Sequence, residues 1–153
     1  MDDNLRDALA TVEPFAQFNP EDLAVERLGG LTNINYRVNS PVGDFVLRLA
    51  GEGTGDYIDR GAEEKNAQVA SDAGVNAEII FFDAKSGTMV TRYIENAVTL
   101  DIEKFKDKGV LERAGRAFRQ LHDSPQLFEG EFELFEQIDQ YLAILNQLNA
   151  ELP

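Results

Sequence analysis

The sequence has no cysteine and a single histidine among 153 residues. Without thiols there is no disulfide framework and no thiolate metal site. With one histidine, a structural zinc site has too few donors. Basic residues are scarce: 14 Lys+Arg stand against 28 Asp+Glu, a net charge of −14. A surface this negative repels polyanions and argues against general nucleic-acid or anionic-membrane binding. It tolerates a cationic ligand, and it keeps the chain soluble whatever the ligand is. No apolar run is long enough to cross a bilayer. Met1-Asp2-Asp3 is acidic where a secretory signal opens basic, so no signal and a cytoplasmic location are expected. Several motifs are missing too. There is no G-x-x-x-x-G-K-S/T, which excludes a P-loop. Gly51-Glu52-Gly53-Thr54-Gly55 has the wrong spacing for G-x-G-x-x-G, and Asp56 follows where a dinucleotide site needs a helix start. No G-x-S-x-G nucleophile elbow occurs.

What is present is a chain with 43% hydrophobic residues, enough for a real core. Residues 3–18 show helical periodicity, with Leu5, Leu9, Val12 and Phe15/Ala16 on one face and Asn19-Pro20 as the stop. Leu23 to Leu28, Ile34 to Val38 and Phe45 to Leu49 read as strands, the last two joined by a turn at Pro41-Val42-Gly43-Asp44. A helix opening at Tyr57 or Asp59 runs to Ala73, and Gly74 stops it. Ala77 to Phe82 and Thr88 to Ile94 are two more strands around Lys85-Ser86-Gly87. Beyond them the period is helical: Val110, Ala114, Ala117/Phe118 and Leu121 form one stripe. Phe132, Phe135, Ile138, Tyr141/Leu142, Leu145 and Leu148 form a second. The order predicts an α+β fold, a five-stranded antiparallel sheet with one inserted helix, followed by helices. That is also the order of a protein-kinase-like amino-terminal lobe. The expected division is a lobe over 1–95 and helices of a second lobe over 96–153. The last stripe has no later partner in the sequence, which reads as a chain cut inside a larger fold or as a closing helix.

Three places could carry chemistry. Gly29-Gly30-Leu31-Thr32-Asn33 forms a glycine turn that can bring backbone amides and the Thr32 and Asn33 side chains to a phosphate chain, or can be a plain hairpin turn. Arg48 sits between Leu47 and Leu49. A half-buried cation there needs a partner or a ligand, and Glu63 on the inserted helix, sharing a face with Ala67 and Ala70, is the expected partner. Adjacent Glu64 is the alternative, as is an arginine that simply points to solvent. In kinases a basic residue on the third strand pairs with a helix glutamate and holds the α/β-phosphates. Thr91-Arg92-Tyr93-Ile94-Glu95 is either a strand end or a hinge whose backbone could bond adenine, with Met89 or Val90 lining the pocket.

These segments together resemble the choline/ethanolamine kinases, the bacterial choline kinases in particular, within the wider aminoglycoside-phosphotransferase-like kinases. The residues that carry the resemblance are Leu28-Gly-Gly-Leu-Thr-Asn-Ile-Asn-Tyr36, Phe45-Val-Leu-Arg-Leu49, Gly51-Glu-Gly-Thr54, and Tyr57-Ile-Asp-Arg60 with Glu63 and Asn66. Gly74-Val-Asn-Ala77, Phe82-Asp-Ala-Lys-Ser-Gly87, Tyr93-Ile-Glu95 and Leu121-His122 continue it, so it covers roughly residues 25 to 125. The resemblance implies transfer of the γ-phosphate of Mg-ATP to choline or a similar small alcohol. It implies that Thr32 and Asn33 cover phosphates, that Arg48 contacts them with Glu63 fixing it, and that Tyr93 and Ile94 hold adenine.

The family's later half supplies an H-x-D-x-x-x-x-N loop and an acidic metal-binding motif. Here the single histidine, His122, is followed by Asp123 and then by Ser124, where the loop needs Asp, and Phe128 stands five beyond Asp123 in place of Asn. His122 therefore reads as a helix-terminal residue. No catalytic residue and no magnesium ligand is expected in these 153 residues. The choline site, built in the family from aromatic and acidic side chains, is expected in the later half as well. Three functions stay open: the ATP-binding part of a choline-type kinase, inactive alone; a half-kinase that binds a protein partner or itself through its last helix; and a kinase for an aminoglycoside, thiamine or ethanolamine.

Overall fold

The computed structural model describes every residue except 52, 57, 132, 149 and 151–153, and of Asp56 only the backbone. Tyr57 as a helix start and Phe132 as a stripe member thus lie outside the described residues. The chain forms α1 (Asp3–Thr11), β1 (Ala24–Arg27), β2 (Ile34–Ser40), β3 (Gly43–Leu49), α2 (Arg60–Asp72), β4 (Ile79–Asp83), β5 (Thr88–Arg92), α3 (Lys108–His122) and α4 (Leu134–Gln147). The five strands make one antiparallel sheet in the order β1-β2-β3-β5-β4. The fold is α+β, as the sequence order predicts. Among the described residues no helix is long and apolar enough to cross a membrane.

Side chains alternate across each strand, and the alternation divides the sheet into two unlike faces. Tyr36 and Val38 of β2, Phe45, Leu47 and Leu49 of β3, and Val90 of β5 are buried together with Leu5 and Leu9 of α1. Phe15 closes this core and meets Phe45 edge to face, with ring centres 5.6 Å apart. The β2–β3 hairpin turns tightly at Pro41-Val42, with Ser40 paired to Gly43. Gly43 has a φ of +129°, a conformation that a side chain at Cβ disfavours.

The first helix is shorter than its periodicity suggests. It ends at Thr11, and Val12 is already extended. Pro14 explains this, because the residue before a proline is pushed out of the helical region and proline itself offers no amide. The chain then proceeds in turns that still deliver Val12 and Phe15 to the core, while Ala16 is exposed. The inserted helix α2 is capped by Asp59, whose carboxylate accepts from the Ala62 amide at 3.0 Å, and Gly74 at φ +71° ends it. In α3 the cap is Asp107, accepting from Val110 at 3.1 Å. Neither α3 nor α4 buries a described residue: Phe118 and Phe135 are 65% and 78% exposed.

Candidate functional site

The face of the sheet opposite the core carries a row of paired positions: Asn35 on β2, Arg48 on β3, Met89 on β5 and Phe82 on β4. Strand alternation that buries Leu47 and Leu49 in the core necessarily puts Arg48 here. The same logic decides between two expected pocket residues. Val90 is fully buried in the core, so Met89 is the one that shares the Arg48 face.

Arg48 is held by α2. Its Nη1 lies 2.8 Å from Glu63 Oε1, with the two side chains 15% and 23% exposed. Glu63 is therefore the partner, and Glu64 on the same helix is exposed. A second Arg48 nitrogen, Nη2, donates to the Gly87 carbonyl at 3.2 Å. Its Nε is buried and has no hydrogen bond among the described residues. The guanidinium also stands 5.7 Å from the centre of the Phe82 ring.

Glu63 serves a second cation. Arg60 Nη1 donates to Glu63 Oε2 at 2.5 Å, and Arg60 Nη2 donates to the Thr54 hydroxyl. One carboxylate between two guanidiniums leaves one positive charge in excess in a poorly solvated place. An uncompensated charge there is costly, and a fork of arginine donors is suited to a phosphate or carboxylate. In a chain of net charge −14 this is a locally cationic spot. Sequence reasoning assigns Arg60 no role of its own. Two signals were there: its i,i+3 spacing to Glu63, and a cation in the first turn of a helix, where the dipole disfavours it.

Two glycine segments meet beside this cluster. A Cβ on Gly51 would lie 2.3 Å from the Thr32 carbonyl oxygen, and one on Gly30 would lie 2.3 Å from the Asn33 carbonyl oxygen. Only glycine permits such an approach. Asn33 Oδ1 accepts from the Gly51 amide at 3.3 Å, and Asn35 Nδ2 donates to the Gly29 carbonyl at 3.0 Å. Asn33 thus fastens one glycine segment to the other, whereas Thr32 is exposed.

The expected hinge is built differently from a bare strand end. The Tyr93 amide donates to the Asp44 carbonyl at 3.0 Å, so it is already used. The Tyr93 ring lies 4.1 Å from the Arg37 guanidinium carbon, and Arg37 pairs with the Asp44 carboxylate. Hydrogen bonds from Arg37 and then Asn39 hold the Asp44 carboxyl below its ordinary value. Ile94, by contrast, is 56% exposed. His122 is the last residue of α3, which fits a helix-terminal residue. Among the described residues no group of three or more His, Cys, Asp or Glu is placed to hold a metal ion. The donors present suit an anion and do not suit magnesium.

Comparison with known proteins finds relatives. No family model matches the chain. A choline/ethanolamine kinase family protein from Mesorhizobium loti is 43% identical and superposes with a TM-score of 0.76, over 99% of this chain and 47% of its own. The chain is a relative of the choline/ethanolamine kinases. The choline kinase LicA from Streptococcus pneumoniae is 33% identical with a TM-score of 0.69, over 80% of this chain and 43% of its own. A LicA structure in complex with AMP is 29% identical with a TM-score of 0.72, over 92% of this chain and 47% of its own. Protein LicA of Haemophilus influenzae is 32% identical over 90% of this chain. The chain spans 41% of that protein's length, so the resemblance to these kinases is near-complete for this chain and under half for them.

Proposed function

We propose that residues 1–153 are the nucleotide-binding part of a choline-kinase-like phosphotransferase, which moves the γ-phosphate of ATP to choline or a related amino alcohol. The observation that carries this reading is the Arg48–Glu63 ion pair, set on the sheet face beside two interlocked glycine segments. In this reading residues 1–95 form the sheet lobe and 96–153 begin the next. Arg48 meets the phosphates through its partly unmatched donors, and Glu63 fixes its direction. Thr32 lies exposed where it can reach a phosphate oxygen, and Asn33 holds the glycine segments together for it. Adenine is held at Tyr93 and Ile94, through Ile94 and the Tyr93 carbonyl, because the Tyr93 amide is taken.

In the reaction the acceptor hydroxyl oxygen bonds to the γ-phosphorus, the bond to the β,γ-bridging oxygen breaks, and ADP leaves. The base that takes the hydroxyl proton is assigned to sequence beyond these residues. Magnesium ligands and the catalytic loop are likewise assigned to sequence beyond them, consistent with a span under half of the relatives. The part played here is binding and orientation, which account for most of such catalysis. A cytoplasmic location, where ATP is plentiful, belongs to the same reading.

A second reading is an interaction module. The stripe Phe135, Ile138 and Leu142 on α4, with Leu148 just past its end, is exposed and requires cover. A second copy of the chain could supply it, as could the remainder of a kinase.

The test is a panel of acceptors offered with Mg-ATP to the full polypeptide that carries these residues. ADP release that depends on choline or ethanolamine is expected. Release only with an aminoglycoside or thiamine would move the substrate assignment. No release with any acceptor, together with a stable dimer or a fixed protein partner, would favour the interaction module.

A further inference from the structure

Arg60 is the most deeply buried cation among the described residues, 8% exposed, and the pairing of Arg48 with Glu63 does not by itself explain why it is there. A buried guanidinium persists only where its donors are matched. Its matches run in two directions. Toward α2 it donates to Glu63 Oε2, the oxygen that Arg48 leaves free. Toward the glycine loop it donates to Thr54 Oγ1, and that hydroxyl in turn donates to the Gly51 carbonyl at 2.7 Å. Thr54 is 4% exposed, so neither end of this contact is a loose surface bond.

The surroundings are shaped for the guanidinium. A Cβ on Gly87 would lie 2.7 Å from Arg60 Nε, and the Gly87 carbonyl accepts from Arg48. A continuous path therefore runs from Gly51 through Thr54, Arg60 and Glu63 to Arg48, and ends on Gly87. We propose that Arg60 is a positioning residue that latches Thr54, and through it Gly51, to the Arg48–Glu63 pair, so that these glycine-segment residues and the cation face a nucleotide's phosphates in one fixed arrangement. The proposal rests on the kinase reading for what the loop faces, but the latch itself is independent of it.

Threonine 54 offers the cleaner handle, since Thr54→Val removes the hydroxyl and keeps the volume, whereas Thr54→Ser keeps the hydroxyl. Two readouts on the full polypeptide separate the possibilities. Amide hydrogen exchange without nucleotide is expected to speed up about tenfold at Gly51 and Thr54 in Thr54→Val, the loss typical of a hydrogen bond to a charged group. Thr54→Ser is expected to stay near wild type. The KM for ATP is expected to rise in Thr54→Val, by about tenfold on the same basis, with the KM for the acceptor alcohol unmoved. Arg60→Lys, which cannot reach both partners as a fork, is expected to fall between. Unchanged exchange in Thr54→Val would overturn the latch. Faster exchange with both KM values moving together, or neither moving, would overturn the positioning role. A wild-type protein that exchanges as expected but transfers no phosphate would instead sink the kinase reading and leave the latch standing.

Discussion

The sheet half and the helical half of the molecule are built on opposite terms. From α1 to β5, apolar side chains are buried together against one face of the sheet, and Leu9, Phe15, Val38, Leu47 and Val90 are essentially sealed. From Tyr93 onward no described residue is buried, although α3 and α4 carry clear apolar stripes. Helices gain most of their stability in proteins by packing such a stripe. The first half thus completes its own core, while the second is patterned for a core it does not close. Several polar contacts join them. Asn66 on α2 donates to the Glu129 carbonyl at 2.9 Å and accepts from the Glu129 amide at 2.7 Å. Lys65 pairs with the Glu129 carboxylate, and Gln120 donates to the Ala73 carbonyl. The candidate site sits on the free face of the self-sufficient half, one helix away from this strap.

The sharpest way to break the contrast is to truncate one phenylalanine in each half. Phe15→Ala is expected to cost about 3–5 kcal/mol in a urea titration. Phe135→Ala in the same 153-residue chain is expected to stay within about 0.5 kcal/mol. Within the full polypeptide, a much larger cost for Phe135→Ala would show that further sequence covers α4. Next in size is the charge cluster. Glu63→Gln strands two guanidiniums and is expected to cost about 3 kcal/mol, while exposed Glu64→Gln is expected to be silent within about 0.5 kcal/mol. Equal effects would refute Glu63 as the shared partner.

A smaller effect concerns acid. Asp44 is held below its ordinary value by Arg37 and Asn39, and Asp83 by the Ser86 hydroxyl and then the Lys85 amide. A carboxyl depressed in the folded state stabilises fully above its unfolded value, about 3.9, and loses that contribution as pH falls through the depressed one. Acid unfolding of the sheet is therefore expected to steepen below about pH 4, and Asp83→Asn is expected to flatten it. An acid limb identical in the variant would contradict the assignment. The smallest effect tests the strap. Asn66→Ala should remove about 1 kcal/mol of local stability and speed exchange at the Glu129 amide, leaving core amides unchanged.

Periodicity made the five strands and the single inserted helix legible, because a half-buried strand writes its two faces directly into alternate residues; the order of the strands within the sheet was not legible from it. Helix spacing also favoured Glu63 over Glu64, while alternation alone left open an Arg48 that simply points to solvent. The end of α1 was misjudged because Leu5, Leu9, Val12 and Phe15 keep a helical spacing that turns can satisfy as well; Pro14 was the local signal that outweighed it. Strand alternation could have chosen Met89 over Val90, once β5 was registered against β3. The i,i+3 spacing of Arg60 to Glu63 was legible, but its contacts with Thr54 and Gly87 were not, because these approach it only in three dimensions. The use of the Tyr93 amide by Asp44 was equally hidden, because it depends on the β3–β5 register rather than on either segment.

The central claim is that Arg48, oriented by Glu63, meets the phosphates of ATP. Its most direct test is choline-dependent ADP formation by the full polypeptide, wild type against Arg48→Ala, with the fold of both checked by circular dichroism. The account predicts turnover in the wild type and a loss of about a hundredfold or more in the variant, the scale on which a single charge-stabilising donor acts. Turnover that survives unchanged in a folded Arg48→Ala protein would contradict it.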